Sequence, residues 1–163
     1  METALRGSVV VLRSVGPDDI ADLERIRATP EVYARWGGGP VVEDSSDVET
    51  FAIVHEHRVV GAIQWGAEDD PDYRHANIDI YLDPAVHGRG LGTDAVRTLA
   101  RHLIDDLGHH RLVIDPAVDN AAAIACYAKV GFRPVGVMRR YERGPDGTWH
   151  DGLLMDLLAD ELI

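Results

Sequence analysis

The sequence predicts a single α/β domain, residues 1–163, in which a mixed sheet carries helices on its faces. Three observations carry that prediction. Hydrophobic periodicity switches between about 2 and about 3.6 along the chain, in the order β-α-α-β-β-β-α-β-α-β-β. Glycines stand where the two clearest helices must stop, Gly108 and Gly131. A length of 163 residues suits one domain, enough to bury roughly two thirds of the unfolded surface.

The elements follow in order. Ser8 to Ser14, SVVVLRS, is a β-branched run and reads as a strand. Pro17 to Ala28 places Asp18 and Asp19 in a first helical turn, with Ile20, Leu23 and Ile26 at helical spacing. Pro30 to Trp36 reads as a second short helix, closed by Gly37-Gly38-Gly39-Pro40, and the acidic stretch Val41 to Glu49 as a loop. Thr50 to His55 and Val59 to Trp65 form a hairpin around Glu56-His57-Arg58. Glu68 to Asp72 is an acidic turn, and Ala76 to Leu82 alternates as a strand that ends at Asp83-Pro84. A long helix from Leu91 shows apolar positions 91, 95, 96, 99, 103, 104 and 107. Arg111 to Asp115 is a strand, Asp119 caps a helix from Asn120 to Val130, and Phe132 to Glu142 and Trp149 to Leu158 are strands joined through Gly144-Pro145-Asp146-Gly147.

Composition excludes several function classes. No apolar run approaches the roughly 20 residues that cross a bilayer. Met1 to Arg13 lacks the layout of a secretory signal, and the single cysteine, Cys126, fits a reducing compartment; a cytoplasmic protein is expected. The net charge of −12 repels a phosphate backbone and attracts cationic molecules, so nucleic acid is a poor partner. His55 and His57 could share one side of a strand end, but no carboxylate or thiol set completes a site, so no metal is expected.

His87-Gly88-Arg89-Gly90-Leu91-Gly92 lies between a strand and the long helix. Such a turn exposes backbone N–H groups at the positive end of a helix dipole, which is anion-binding geometry. A Walker A loop needs Gly-Lys-Ser/Thr, which is absent. A dinucleotide fingerprint needs GxGxxG, whereas this loop is GxGxG; that weakens dinucleotide binding without excluding it. A glycine turn that merely packs a helix on a sheet is the bland alternative.

The second motif narrows the choice. Asn120, Ala123, Tyr127, Lys129, Gly131 and Phe132 stand together in NAAAIACYAKVGF, about thirty residues after the glycine loop. Asn120 and Tyr127, seven positions apart, share a helical face. This pair of motifs resembles the GNAT superfamily of N-acetyltransferases, with its Q/R-x-x-G-x-G/A loop and N-x-x-A-x-x-x-Y-x-K-x-G-F segment. The resemblance spans Val9 to Leu158; His87 departs from it, standing where glutamine or arginine is usual. It implies a mostly antiparallel twisted sheet of six to seven strands with about four helices. It also implies acetyl-CoA as cofactor and direct transfer in a ternary complex. The pantetheine arm would meet the backbone of Ile80, Tyr81 and Leu82. The pyrophosphate would meet the amides of Gly88, Arg89, Gly90, Leu91, Gly92 and Thr93, with His87 and Arg89 beside it, and Asn120 would touch the arm.

Acetyl transfer needs a group to take the proton of an ammonium and a donor for the departing thiolate. Tyr127, of a residue type with a pKa of about 10, suits the donor role, and the family places this hydroxyl near the thioester sulfur. Asp79, facing with Asn77 and Tyr81, suits the base. Cys126, next to Tyr127 but turned about 100° away, reads as buried filler rather than nucleophile.

For the acceptor, three phrases are similar to aminoglycoside 6′-N-acetyltransferases. They are EVYARWGG, with Trp36 bordering the sugar; Ile78-Asp79, whose carboxylate would contact the 6′-amine; and AIACY. The acidic turns Glu43-Asp44 and Glu68-Asp69-Asp70 would face a polycationic sugar, with Asp69 and Asp70 as substrate contacts. The final strand also resembles protein N-terminal acetyltransferases of the ribosomal-protein-modifying type, which keeps a peptide N-terminus or a polyamine as the alternative acceptor. A non-catalytic acyl-CoA-binding module is argued against by Tyr127 and Asp79. The expected partner is a small cationic amine, with no nucleic acid and no membrane, bound by a monomer or homodimer.

Overall fold

A computed structural model describes residues 4–163; residues 1–3, part of the segment read for a leader, lie outside it. Among the described residues, eight strands form one sheet: β1 (Leu5–Arg6), β2 (Val11–Ser14), β3 (Val48–His55), β4 (Arg58–Glu68), β5 (His75–Leu82), β6 (Arg111–Ile114), β7 (Arg133–Arg143) and β8 (Trp149–Leu158). The helices are α1 (Ile20–Arg27), α2 (Pro30–Trp36), α3 (Leu91–Arg101) and α4 (Ala121–Val130). Spatial order is β1-β2-β3-β4-β5-β6-β8-β7, antiparallel throughout except for β5 beside β6. The sheet thus has one or two strands more than expected, because the two-residue β1 adds an edge pair at Leu5↔Leu12 and Arg6↔Val11.

The first strand is shorter than the β-branched run suggested. Ser8, Val9 and Val10 donate their backbone N–H groups not to a strand but to the Asp94 carboxylate of α3, at 3.0, 2.8 and 3.0 Å. Gly7 lies so close to Asp94 and Thr98 that any Cβ there would collide with both side chains.

Two apolar layers sandwich the sheet. Ile53, Ile63, Ile78, Leu112, Met155 and Leu157 face Leu91, Val96 and Leu99 of α3, Leu103 of the turn that follows it, and Val130 of α4. On the other face, Ala62 and Tyr81 meet Leu23, Ile26, Val32 and Val41 of α1, α2 and the following loop. Strand alternation makes this division: in β5, Ile78 and Leu82 take the first face and Asp79 and Tyr81 the second. The β3–β4 hairpin turns on Glu56 and His57, both left-handed at φ 50° and 65°, which places His57 in the turn rather than beside His55 on a strand.

The long helix loses its period near its end. Residues 102–106 widen into a π turn, and Leu107, expected in the stripe, is 40% exposed. The extra residue in that turn rotates the following side chain off the apolar face. Asn120, not Asp119, caps α4: its Oδ1 accepts from the Ala123 amide at 3.3 Å, while Asp119 pairs with Arg35 at 3.2 Å.

The Asp94 anchor supplies a test. Asp94→Ala leaves three N–H groups without their acceptor and should lower unfolding free energy by about 3 kcal/mol. Asp94→Asn, which keeps one acceptor oxygen, should lose less; urea denaturation reads both.

Candidate active site

The parallel pair β5–β6 is joined at only two registers, Ala76↔Leu112 and Asn77↔Val113. Beyond them the strands part. The chain after β6 stays with β8 instead: Leu153 N–H donates to the Pro116 carbonyl at 2.8 Å, Val118 N–H to the Asp151 carbonyl at 3.1 Å, and Ala117 bridges Gly152. Residues 78–82 of β5 therefore bond β4 on one edge and leave the other edge open.

A cleft of about 940 Å³ fills this gap. Asp79, Ile80, Tyr127, Asn120 and Trp36 line it, so five of the residues singled out by sequence are brought together. The glycine loop stands at the C-terminal end of β5. Gly88 and Gly90 are left-handed at φ 79° and 78°, with open space where a Cβ would be. Gly90 gives α3 no side-chain cap, so the amides of Leu91, Gly92 and Thr93 are the first-turn donors at the positive end of the helix. Gly92 serves packing: a Cβ there would sit 3.3 Å from Leu82 Cδ1 and 3.5 Å from Cys126 Sγ. His87 is turned back on the strand, its Nε2 donating to the Leu82 carbonyl at 3.2 Å.

Residues 19–132 match the Acetyltransferase (GNAT) family. The chain belongs to this family. It is 40% identical over 73 residues to the N-alpha-acetyltransferase RimI of Mycobacterium tuberculosis, covering 45% of this chain and 44% of that one. It is 39% identical over 84 residues to an aminoglycoside N(6′)-acetyltransferase type 1 of Klebsiella pneumoniae, covering 51% and 39%. The chain thus spans less than half the length of either relative. Among solved structures it is similar to Mycobacterium smegmatis RimJ in complex with CoA-disulfide, with a TM-score of 0.82 and 26% identity over 99% of this chain and 88% of that one. The GNAT family uses acetyl-CoA.

The GNAT cleft here is acidic beyond what the sequence suggested. Glu31, Glu43, Asp115, Asp119, Glu142 and Asp146 line it with Asp79, against one arginine, Arg35. Asp79 is pushed up to about 6, first by burial and then by the charges of Asp115, Glu142 and Glu43; the amide of Gln64, directly across on β4, acts in the opposite direction. Burial also raises Asp115, and the Tyr141 hydroxyl, donating to Asp115 Oδ2 at 2.9 Å, opposes that rise. Tyr127 is raised strongly, by burial first and then by the charges of Cys126, Asp79 and Asp115, so it holds its proton.

Asp115 directly follows β6 and precedes Pro116, and a carboxylate just past a parallel strand beside the glycine-loop strand is a usable signal. Tyr141 and Glu142 carried none. Between Met138↔Gly152 and Glu142↔His150 three residues of β7 oppose one of β8, with Arg140 left-handed at φ 48°. That bulge lets neighbouring residues both reach the cleft region.

Asp69 and Asp70 are not among the cleft-lining residues. They follow Glu68 at the far end of β4, five residues from the Gln64–Asp79 register, roughly 17 Å along the strand. The acidic turn acts on His109 instead: burial and then the Arg74 charge lower that imidazole, and Asp69 opposes them. Tyr81 turns its ring into the α1–α2 layer, and burial raises its hydroxyl to about 12. Cys126 packs on Thr93, Sγ to Oγ1 3.3 Å, and burial raises its thiol. No helix of the described residues is long and apolar enough to cross a membrane.

The Asp79 shift has a measurable sign. The folded chain binds this proton more tightly than the unfolded chain, so unfolding free energy falls as pH rises from about 4 to about 6 and stays lower above that. Asp79→Asn should therefore stabilise the protein by on the order of 2 kcal/mol at pH 8 and hardly at all at pH 4. Urea midpoints at the two pH values give the comparison.

Proposed function

We propose that this chain is an acetyl-CoA-dependent N-acetyltransferase that modifies a primary amine of a small polycationic acceptor, an aminoglycoside 6′-amine above all. The observation that carries the acceptor is the convergence of Asp79, Asp115, Glu142 and Glu43 on one cleft. A carboxylate cluster of that density binds several ammonium groups at once and repels anions. The aminoglycoside relative and the Trp36 wall favour the same acceptor.

Acetyl-CoA supplies an activated thioester carbonyl. The residues fit such a donor: an open strand edge for an extended amide-bearing arm, then an uncapped helix N-terminus flanked by Gly88 and Gly90 for a pyrophosphate. Ile80, Tyr81 and Leu82 offer backbone groups, the first-turn amides with Arg89 take the phosphates, and Asn120 borders the arm. His87, bonded to Leu82, orders the strand end rather than reaching for phosphate.

Asp79 anchors the acceptor ammonium and takes its proton. A carboxylate raised toward 6 is a better base than an exposed one and is still ionised at neutral pH. Tyr127 keeps its proton at Oη for the leaving sulfur. Cys126 sits on the α3–α4 seam with a raised thiol, so transfer is direct, within a ternary complex. A soluble cytoplasmic setting suits both substrates.

A second reading, acetylation of a protein N-terminus, is favoured by the likeness to RimI and RimJ. Thiol release from acetyl-CoA, measured against kanamycin, tobramycin, spermidine and alanine-ended peptides, separates the two. Turnover on the aminoglycosides is expected, and turnover on peptides alone would sink the aminoglycoside reading.

Two further outcomes test the roles. Tyr127→Phe should lower kcat by about a hundredfold while coenzyme A affinity stays put. The kcat/KM of the wild type should fall on the acid side with an apparent pKa near 6, because protonated Asp79 neither anchors nor deprotonates the amine; Asp79→Asn should abolish that limb along with most of the rate.

A further inference from the structure

Arg27, in the last turn of α1, binds more of the acceptor-side loop than any α1 neighbour. Its Nη1 donates to the Pro40 carbonyl at 3.1 Å. Its Nη2 reaches the carbonyls of Trp36, Gly37 and Gly38 at 3.4, 3.2 and 3.3 Å. The guanidinium carbon also lies 5.4 Å from the Trp36 ring centroid and 5.7 Å from that of Tyr81. Those two rings meet edge-on with centroids 4.8 Å apart.

The segment so gripped has little else to hold it. Residues 37–40 belong to no helix or strand, and Gly37 and Gly39 are left-handed at φ 68° and 113°. Three consecutive glycines carry the largest backbone entropy to lose on ordering. Yet this loop carries the Trp36 wall of the cleft, and Gly37 comes close to Pro145 of the β7–β8 turn, near enough that a Cβ would sit 3.4 Å from the proline ring. The fork geometry of a guanidinium suits several carbonyls at once, and its flat face suits aromatic rings; an ammonium does neither as well. The remaining Nε and the Tyr81 hydroxyl are buried without a hydrogen bond of good geometry, a cost accepted at this spot.

We propose that Arg27 is a positioning residue for the acceptor amine: without lining the cleft, it fixes loop 36–40 and thereby the indole wall against which the acceptor is oriented. The inference rests on the reading of the α1–α2 side of the cleft as the acceptor side.

The test compares wild type, Arg27→Lys and Arg27→Met in steady state with acetyl-CoA and tobramycin, alongside amide hydrogen exchange of Gly37 to Gly39. Lysine keeps the charge and stem but loses the fork, and it remains informative if the methionine variant folds poorly. The acceptor KM should rise about tenfold in Arg27→Lys while the acetyl-CoA KM stays within about twofold, and loop amides should exchange faster with those of α3 unchanged. A normal acceptor KM in Arg27→Lys overturns the proposal, as does a parallel rise of both KM values, which general loosening would produce. A wild type inactive on every amine would instead remove the functional reading; loop exchange unchanged by Arg27→Lys would then overturn the positioning role by itself.

Discussion

A parallel strand pair normally continues until both strands end, because each unpaired N–H or C=O in a sheet interior forfeits a partner. Here β5 and β6 share two registers and then diverge, and the backbone accounts explain where the missing bonds go. After Ile114 the chain keeps its bonds to β8 through Pro116, Ala117 and Val118, so the loss falls wholly on one edge of β5. Pro116 lacks an N–H and cannot extend the parallel ladder itself. The gap opens the sheet between its two faces. Tyr127 reaches it from the α4 layer and Asp79 from the opposite face of β5, so side chains from both faces of one sheet meet at the gap.

The same gap concentrates charge. Four carboxylates near one another in a half-buried cleft repel, and burial penalises the ionised forms of Asp79, Asp115 and Glu142. The cost falls mostly on Asp79, hemmed in by Asp115, Glu142 and Glu43, and a few neighbours relieve it. Tyr141 donates to Asp115, and Arg35 opposes the rise of Glu142 and Tyr127. Stability is given up at this spot, where burial and neighbouring charge hold the Asp79 carboxyl above its usual range.

What could be read from sequence follows from what is local. Periodicity located the four helices and the main strands, and the glycine loop with its strand and helix was visible as a run. Trp36, Asp79, Asn120 and Tyr127 were visible because their neighbours in sequence form recognisable phrases, and they share one cleft. Charge runs misled. Asp69 and Asp70 looked like a substrate rim, but sequence cannot say to which end of a strand a turn is carried. Asp115, Tyr141 and Glu142 meet only through long-range pairing and a bulge in β7, and Arg27 matters only because a loop nine to thirteen residues away folds onto it. Each depends on register or loop path, which no local pattern encodes.

A chain of net charge −12 in a family that uses acetyl-CoA has to take up an anionic cofactor beside its own carboxylates. Neutral glycines, Arg89 and the uncapped start of α3 stand past the end of β5, and the carboxylates are gathered in the cleft. One residue threatens that division: Asp94, in the first turn of α3, sits where a free carboxylate would compete for the same amides a phosphate needs. Its side chain turns away and is satisfied by three backbone N–H groups of Ser8, Val9 and Val10. A carboxylate that accepts three such bonds spends its field locally. The turn that shortens the first strand thereby also draws that carboxylate away from the amides of the helix terminus.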